Sequence, residues 1–170
     1  IKIGIKGTKW NGIWFDILDG LFRIALFLAY LGGISLLSEV RRIFQYHGAE
    51  HKAIACYEAG KELTVANVKK YSRFHPRCGT SFLFIVLLLS VILFSFIGGE
   101  WYIKLLGRIL LLPVLAGIGY ELVKLSAKYN THFLIKVLIA PGLWLQKLTT
   151  REPSARQIEV GIAALKGVVK

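Results

Sequence analysis

The chain contains two short clusters of residue types that bind metal ions. The first, an H-x-x-E-H pattern over 47–51, holds His47 and His51 with Glu50 between them; the second, an H-x-x-C pattern over 75–78, holds His75 and Cys78. Histidines four residues apart lie on one face of a helix, so both imidazoles can bind the same ion. A carboxylate beside such a pair can act as a general base on metal-activated water. We therefore predict that Glu50 is a catalytic base at a site with four metal ligands, namely His47, His51, His75 and Cys78.

The donor types indicate the metal but leave the role of the site open. Three imidazoles and one thiolate suit zinc, and iron is also compatible. Four protein ligands would make the site structural, whereas water in place of one ligand would make it catalytic. A low pKa near a helix N-terminus would allow Cys78 to act as a ligand or as a nucleophile. Paired histidines also occur by chance and as interfacial anchors, so the second cluster is what favours metal binding.

Composition predicts that lipid surrounds much of the protein. Of the 170 residues, 55% are hydrophobic, the mean hydropathy is +0.56 and the net charge is +12. Soluble domains are more polar than this. Lys and Arg also collect on cytoplasmic loops and next to anionic lipid, so the positive charge predicts a lipid bilayer as partner and no nucleic acid.

The elements that position the two clusters are predicted to be helices of a single membrane domain over 1–170. The fold class is all-α and multi-pass, with three membrane spans at about 18–37, 81–99 and 103–123, the last two forming a hairpin. The apolar stretch 133–148 is short and interrupted by Lys136 and the Pro141-Gly142 pair, which predicts an interfacial or re-entrant helix. An amphipathic helix is expected over 154–169, with Ser154 as its N-cap.

Basic residues predict the orientation of these spans. The connection 38–80 carries eight Lys and Arg residues, the turn 98–101 carries none, and the segment after 123 is again basic. The positive-inside rule therefore places the site loop 38–80 and the C-terminus in the cytoplasm, and the protein in the cytoplasmic (inner) membrane. Lys2, Lys6 and Lys9 oppose this orientation if the first span crosses fully.

Two further carboxylates were weighed as additional ligands or bases. For Glu58, a solvated loop position is the favoured interpretation. For Glu121, which follows the apolar stretch 103–120, a salt bridge to a neighbouring Lys or Arg is favoured.

Four segments together resemble the YqhQ-like family of bacterial integral membrane proteins: Phe44–Lys52, Cys56–Gly60, Ser72–Phe82 and Thr150–Pro153. The resemblance extends from about Asp19 to Val169. It implies a multi-pass protein of the cytoplasmic membrane. The function of the family is unknown, and its members are labelled predicted metal-dependent enzymes. They are also longer at the N-terminus, with a Gly-rich segment that this sequence lacks.

These observations predict a membrane-embedded, zinc-dependent, hydrolase-like enzyme whose His/His/His/Cys site lies at the cytoplasmic face, with an unspecified substrate. One alternative is a homo-oligomeric ion channel or transporter with a regulatory or permeation metal site, in which Asp19, Arg23 and Arg108 would line the path. Another is a closed structural metal site that stabilises a membrane scaffold.

Overall fold

The computed structural model describes residues 9–129 and 132–169, and within these ranges it contains seven α-helices and no strand. The all-α class is therefore confirmed. The helices are α1 (Lys9–Ile34), α2 (Ser38–Glu58), α3 (Val65–Val68), α4 (Gly79–Ser95), α5 (Trp101–Lys128), α6 (Phe133–Thr149) and α7 (Ala155–Val168).

The region predicted as a cytoplasmic loop, 38–80, is largely helical. Helix α1 ends at Ile34 because the chain turns over residues 35–37, where the Ser35 hydroxyl donates to the Gly32 carbonyl (2.7 Å) in place of continued helix. Helix α2 then begins at Ser38 and continues past both histidines of the first cluster to Glu58. The expected one-turn spacing of these histidines on a helix is thus confirmed, although a break separates that helix from the predicted first span.

The predicted span 81–99 is shorter in the structure. Helix α4 ends at Ser95, whose hydroxyl donates to the Ile92 carbonyl (2.6 Å), and Gly99 has a positive φ of 102° in the turn that follows. Seventeen residues of helix extend for about 26 Å, slightly less than the roughly 30 Å of a hydrocarbon core. The structure therefore offers two helices of full crossing length and one shorter apolar helix, instead of three full spans.

Those two crossing-length segments, among the residues described, are Trp14–Ile34 and Trp101–Ser126, each with a mean hydropathy of 1.7. Only 11% and 17% of their most apolar windows are buried inside the protein, so they are unlike the core helices of soluble proteins. This exposed apolar surface favours a membrane protein. The type of membrane and the orientation stay predictions.

Two prolines lie inside helices. Helix α5 continues through Pro113, and α6 continues through Pro141, where the sequence had predicted an interruption. The absence of a side chain at Gly142 lets α6 approach α4, since a Cβ there would lie 2.7 Å from the Cβ of Ser81. Helix α6 therefore packs along α4 as one uninterrupted element.

The helices pack around two separate cores. Ile24, Phe84 and Leu145 join α1, α4 and α6, and α5 packs on α4 and α6. The second core joins α2, α3 and α7 through the buried residues Ala49, Ala53, Cys56, Val68, Ile158 and Ile162. Ser154 caps α7 in a capping box with Gln157, as predicted. The segments that connect the two cores, 69–78 and 150–154, position the site described next.

Candidate metal centre

Three of the four predicted ligands converge at the junction between the two cores. His47 and His51 lie one turn apart on α2, with ring centroids 4.3 Å apart, and Cys78 is the N-cap residue of α4. Ligand atoms of these three residues lie within 4.8 Å of one another, and Cys78 Sγ is 3.3 Å from His47 Nε2. His51 and Cys78 are each only 4% exposed. The helical spacing of the first cluster and the start of α4 thus create a compact, buried donor set.

Backbone carbonyls orient both imidazoles. His47 Nδ1 is 2.8 Å from the Thr149 carbonyl oxygen, and His51 Nδ1 is 2.6 Å from that of Arg73. A carbonyl oxygen can only accept, so both Nδ1 atoms carry hydrogen and donate. In the neutral tautomers each Nε2 then has a free lone pair. Metal-ligating histidines are held in this way by a partner on the other ring nitrogen.

Cys78 is poised to be a thiolate. Burial by itself raises the pKa of its thiol, but hydrogen bonds from His47, His51 and Thr80 lower that pKa to about 4. The same hydrogen bond raises the pKa of His47 against the opposing effect of burial. An imidazolium–thiolate pair follows, in which a thiolate sulfur is available to bind a cation or to attack an electrophile.

His75 lies beside the cluster but is engaged elsewhere. Its ring centroid is 5.8 Å from that of His51. Its Nδ1 accepts from the Arg77 backbone N–H (3.2 Å), so Nε2 carries the hydrogen and donates to Glu58 (3.2 Å). Both ring nitrogens are therefore occupied. The role of His75 as a metal ligand stays a prediction, since Nε2 would have to leave Glu58.

The second cluster, unlike the first, does not lie on a helix. Pro76 and Arg77 lie in a turn, and α4 begins only at Gly79. Glu58 is exposed, as expected, but it ends α2 instead of lying in a loop, and it pairs with both His75 and Arg77. Glu121 is also exposed and lies 3.6 Å from Lys124, as expected.

Glu50, the predicted base, lines a pocket of about 280 Å³ with His47, His51, His75 and Cys78. It is exposed and is near enough to His47 for its charge to contribute to the raised pKa of that imidazole. The structure therefore brings the base and the donor set to one cavity. Its catalytic role stays a prediction.

Sequence reasoning missed the residues that hold this arrangement together. Gln146, fully buried on α6, accepts from the His75 N–H (2.9 Å) and donates to the His75 carbonyl (2.8 Å) and to Ser81 (2.7 Å). Arg73 donates to the Thr150 carbonyl at 2.7 Å. An amide in a largely apolar helix is costly unless it has partners, so Gln146 was a signal that the sequence offered.

The low pKa of Cys78 has a measurable consequence. In protein treated with a chelator, we expect iodoacetamide to alkylate Cys78 at pH 6, because a thiol with a pKa of about 4 is ionised there. An ordinary thiol would be only about 0.3% ionised at that pH. Replacing His47 with alanine should slow the reaction at least about tenfold at pH 6, with little change at pH 9. Peptide mass spectrometry measures the rate.

Cys56 is the internal control for this experiment. It is fully buried, and burial raises the pKa of its thiol, so it should not react in the folded protein. Equal labelling of the two cysteines at pH 6, or a rate at Cys78 that rises only above pH 8, would contradict the imidazolium–thiolate pair.

Fold and site together define a class of protein. Over the residues described it is all-helical, with two apolar helices of membrane-spanning length and a His/His/Cys cluster where its two cores meet. The chain belongs to the family described as "Protein of unknown function (DUF1385)", which it matches over residues 4–170. It is 38% identical over 154 residues to the protein called "Uncharacterized protein YqhQ" of Bacillus subtilis (strain 168), and the alignment covers 90% of the chain and 48% of that protein. The chain thus spans about half the length of this relative. No solved structure matches it. The resemblance to the YqhQ-like family is confirmed.

Proposed function

We propose that the protein is a membrane-bound, zinc-dependent enzyme of hydrolase type, with its metal held by His47, His51 and Cys78. One observation carries the proposal: ligand atoms of two imidazoles and one thiolate lie within 4.8 Å of one another, with His51 and Cys78 buried and His47 half-buried, while both Nδ1 atoms donate to backbone carbonyls. A bound cation would take the place of the proton between His47 Nε2 and the Cys78 thiolate, and it would explain why two imidazoles oriented by backbone carbonyls both face one sulfur.

The donor set fits zinc by its chemistry. Neutral imidazole nitrogen and thiolate sulfur are both common zinc ligands, and the partners on the Nδ1 side are those that make imidazoles better ligands. Iron remains compatible with the nitrogen ligands. When bound, zinc supplies Lewis acidity, polarising a substrate oxygen and lowering the pKa of water.

Three protein ligands support a catalytic over a closed structural site. Structural zinc has four protein ligands, whereas catalytic zinc has three and an open position. His75 is the fourth residue that could close this site, and both of its ring nitrogens are engaged. The side of the cluster that faces the 280 Å³ pocket is then available to substrate.

The other residues of the pocket have roles suited to hydrolysis. Glu50 accepts the proton of the attacking water, as a general base. Glu50 then passes that proton to the leaving group, while His75, whose Nε2–H faces Glu58, donates a hydrogen bond to a substrate oxygen. Arg77, paired with Glu58 on the same wall, binds a substrate oxygen that gains negative charge.

A neighbouring cleft supports a substrate drawn from the membrane. About 610 Å³ in volume, the cleft extends from Cys78 between α4 and α5. Phe82, Tyr120 and Val123 give it apolar walls, and Arg77 and Lys124 lie beside them. An amphiphile could place its apolar part against α4 and α5 and its polar part at the metal. In the orientation predicted from the basic segments, the substrate enters from the cytoplasmic leaflet.

The proposal is tested with zinc-loaded protein reconstituted in liposomes of bacterial lipid, with lipid products followed by mass spectrometry. We expect product formation that stops on chelation and resumes with zinc. Glu50→Gln should lower the rate by about 10²–10⁴-fold while leaving the zinc content unchanged, because it removes the base and not a ligand.

The matched control is Glu159→Gln, which changes an exposed carboxylate on α7 outside both the pocket and the cleft. A Glu50→Gln rate equal to wild type would contradict the assigned base. Stoichiometric zinc without any lipid product would favour the structural site over the enzyme.

The channel or transporter alternative has one observation in its favour. Asp19, Arg23 and Arg108 line a single cavity, as that hypothesis expects. The cavity includes no residue of the His/His/Cys cluster, and it lies at the opposite ends of α4 and α5 from Cys78. Zinc-dependent ion flux into liposomes, without lipid hydrolysis, would favour this alternative over the enzyme.

A further inference from the structure

A second polar cavity lies far from the metal cluster, where the first half of α1 meets the end of α4 and the start of α5. Its volume is about 280 Å³, room for roughly nine water molecules. Four charged side chains line it, Asp16, Asp19, Arg23 and Arg108, together with two serines of α4.

The charges around this cavity do not balance. Asp16 pairs with Lys104 (3.1 Å), and Asp19 pairs with Arg23 (2.9 Å). Arg108 then has no hydrogen bond or ion pair within the described ranges, and its Nε atom is buried without a partner. Its guanidinium carbon lies 5.7 Å from the centroid of the Phe94 ring, a cation–π contact. Two carboxylates against three cations leave one positive charge.

No acidic side chain elsewhere in the sequence can fill this gap. All ten Asp and Glu residues lie within the described ranges, because residues 1–8, 130–131 and 170 include none. The two serine hydroxyls of the cavity already donate to carbonyls of their own helix. Among the described residues, therefore, the charge of Arg108 has no counter-charge.

The depth of Arg108 makes an unpaired charge costly. It lies seven residues after Trp101, about 10 Å further along α5 from the exposed aromatic pair Trp101 and Tyr102. Such aromatic residues belong at the membrane interface, so the guanidinium lies below it in the crossing-length helix. A charged side chain at this depth in a membrane is a candidate functional site, and the group that neutralises it has to be identified.

We propose that this cavity binds a phosphate-type oxyanion through Arg108. The guanidinium presents a planar set of N–H donors that matches two oxygens of a phosphate, and one negative charge neutralises the cavity. A lipid headgroup and a free phosphate ion share this chemistry. The inference is independent of the metal site, which lies at the other end of α4.

The experiment measures thermal unfolding of the full chain, purified in neutral detergent and depleted of lipid. Inorganic phosphate and short-chain phosphatidylglycerol are the two probes. Chain-matched diacylglycerol, and sodium chloride at equal ionic strength, are the blanks. We expect at least one probe to raise the Tm of the wild type while neither blank does. A response to the lipid alone identifies a headgroup, and a response to phosphate alone identifies a soluble anion.

Two variants of similar chemistry locate the effect. Arg108→Gln should abolish the Tm increase, whereas Arg156→Gln, which changes an exposed arginine of α7 outside the cavity, should retain it. Should Arg108→Gln fail to fold, Arg108→Lys keeps the charge without the planar donor set, and its apparent Kd should be several-fold weaker.

Three results would overturn the proposal. One is the absence of a Tm increase with both probes in the wild type. Another is an equal increase in wild type and Arg108→Gln. The third is an Arg108→Lys protein that binds the effective probe as tightly as the wild type, which would mean that the planar donor set plays no part.

Discussion

We expect the purified protein to lose its zinc when Cys78 is replaced with alanine, and likewise when His47 and His51 are both replaced. Each change removes a donor from a set whose ligand atoms lie within 4.8 Å of one another. Loss of even an outer partner of a ligand weakens metal affinity roughly 10–100-fold, so loss of a ligand should exceed about 100-fold. Elemental analysis of the protein and competition with a chromogenic chelator measure the content and the Kd.

A second substitution at the same position separates two roles of the cysteine. Cys78→Asp provides an oxygen ligand and is a favourable N-cap residue for α4. If Cys78 is a metal ligand, this variant should retain zinc at reduced affinity, together with part of the lipid hydrolysis. If Cys78 is the nucleophile, activity should disappear even where zinc is retained.

His75→Ala decides between three and four ligands. Because both ring nitrogens of His75 are engaged, we expect this variant to retain stoichiometric zinc, with a change in Kd below about tenfold. A loss as large as that of Cys78→Ala would instead make His75 a ligand, as the sequence pattern suggests. His132→Ala, which alters an exposed histidine before α6, is the matched control. Full zinc content after loss of both α2 histidines would contradict the site itself.

The largest structural effect is expected from Gly48→Ala. A Cβ at this position would lie 2.2 Å from the Arg151 carbonyl oxygen, a backbone atom that cannot turn aside. The same approach allows the Arg151 N–H to donate to the Phe44 carbonyl (2.8 Å). Alanine would therefore displace the segment after α6 from α2, and with it the Thr149 carbonyl that orients His47.

Two opposing effects set the size of this change. Alanine is a better helix former than glycine by about 1 kcal/mol, whereas overpacking typically costs 1–3 kcal/mol and sometimes more. Because the clash is with backbone, overpacking should prevail, with a net loss of about 2 kcal/mol in the free energy of unfolding. That corresponds to a Tm lower by roughly 4–8 °C in a chain of this length.

Gly117→Ala is the control for this prediction, since a Cβ at Gly117 would meet nothing within 4 Å in the middle of α5. It should leave the Tm unchanged or slightly raised. We also expect Gly48→Ala to weaken zinc binding about tenfold, because the Thr149 carbonyl no longer holds the imidazole. A Gly48→Ala protein as stable as Gly117→Ala would contradict the close approach of the two segments.

Much of the fold could be predicted from local patterns. Hydrophobic composition and helical spacing predicted an all-α chain, and the serine before α7 predicted its cap, because these signals depend on residues within one or two turns. Helix ends were less predictable. The uncharged run from 81 to 99 does not reveal that α4 ends at Ser95. Likewise, the sequence around Pro141 does not reveal that α6 continues through this proline when it packs on its neighbours.

The sequence by itself determined which residues could form the site: the two histidines on one face of α2, the nearby carboxylate, and a thiol at the start of the next apolar helix. Only the tertiary structure decided which of them meet. Gln146, which is 71 residues away in the sequence, forms hydrogen bonds with the His75 backbone. The His75 ring in turn donates a hydrogen bond from Nε2 to Glu58. Another contact, across 102 residues, orients His47. Spacing along a helix dictates local geometry, but the partner of each ring nitrogen depends on chain segments that packing brings together from far apart in the sequence.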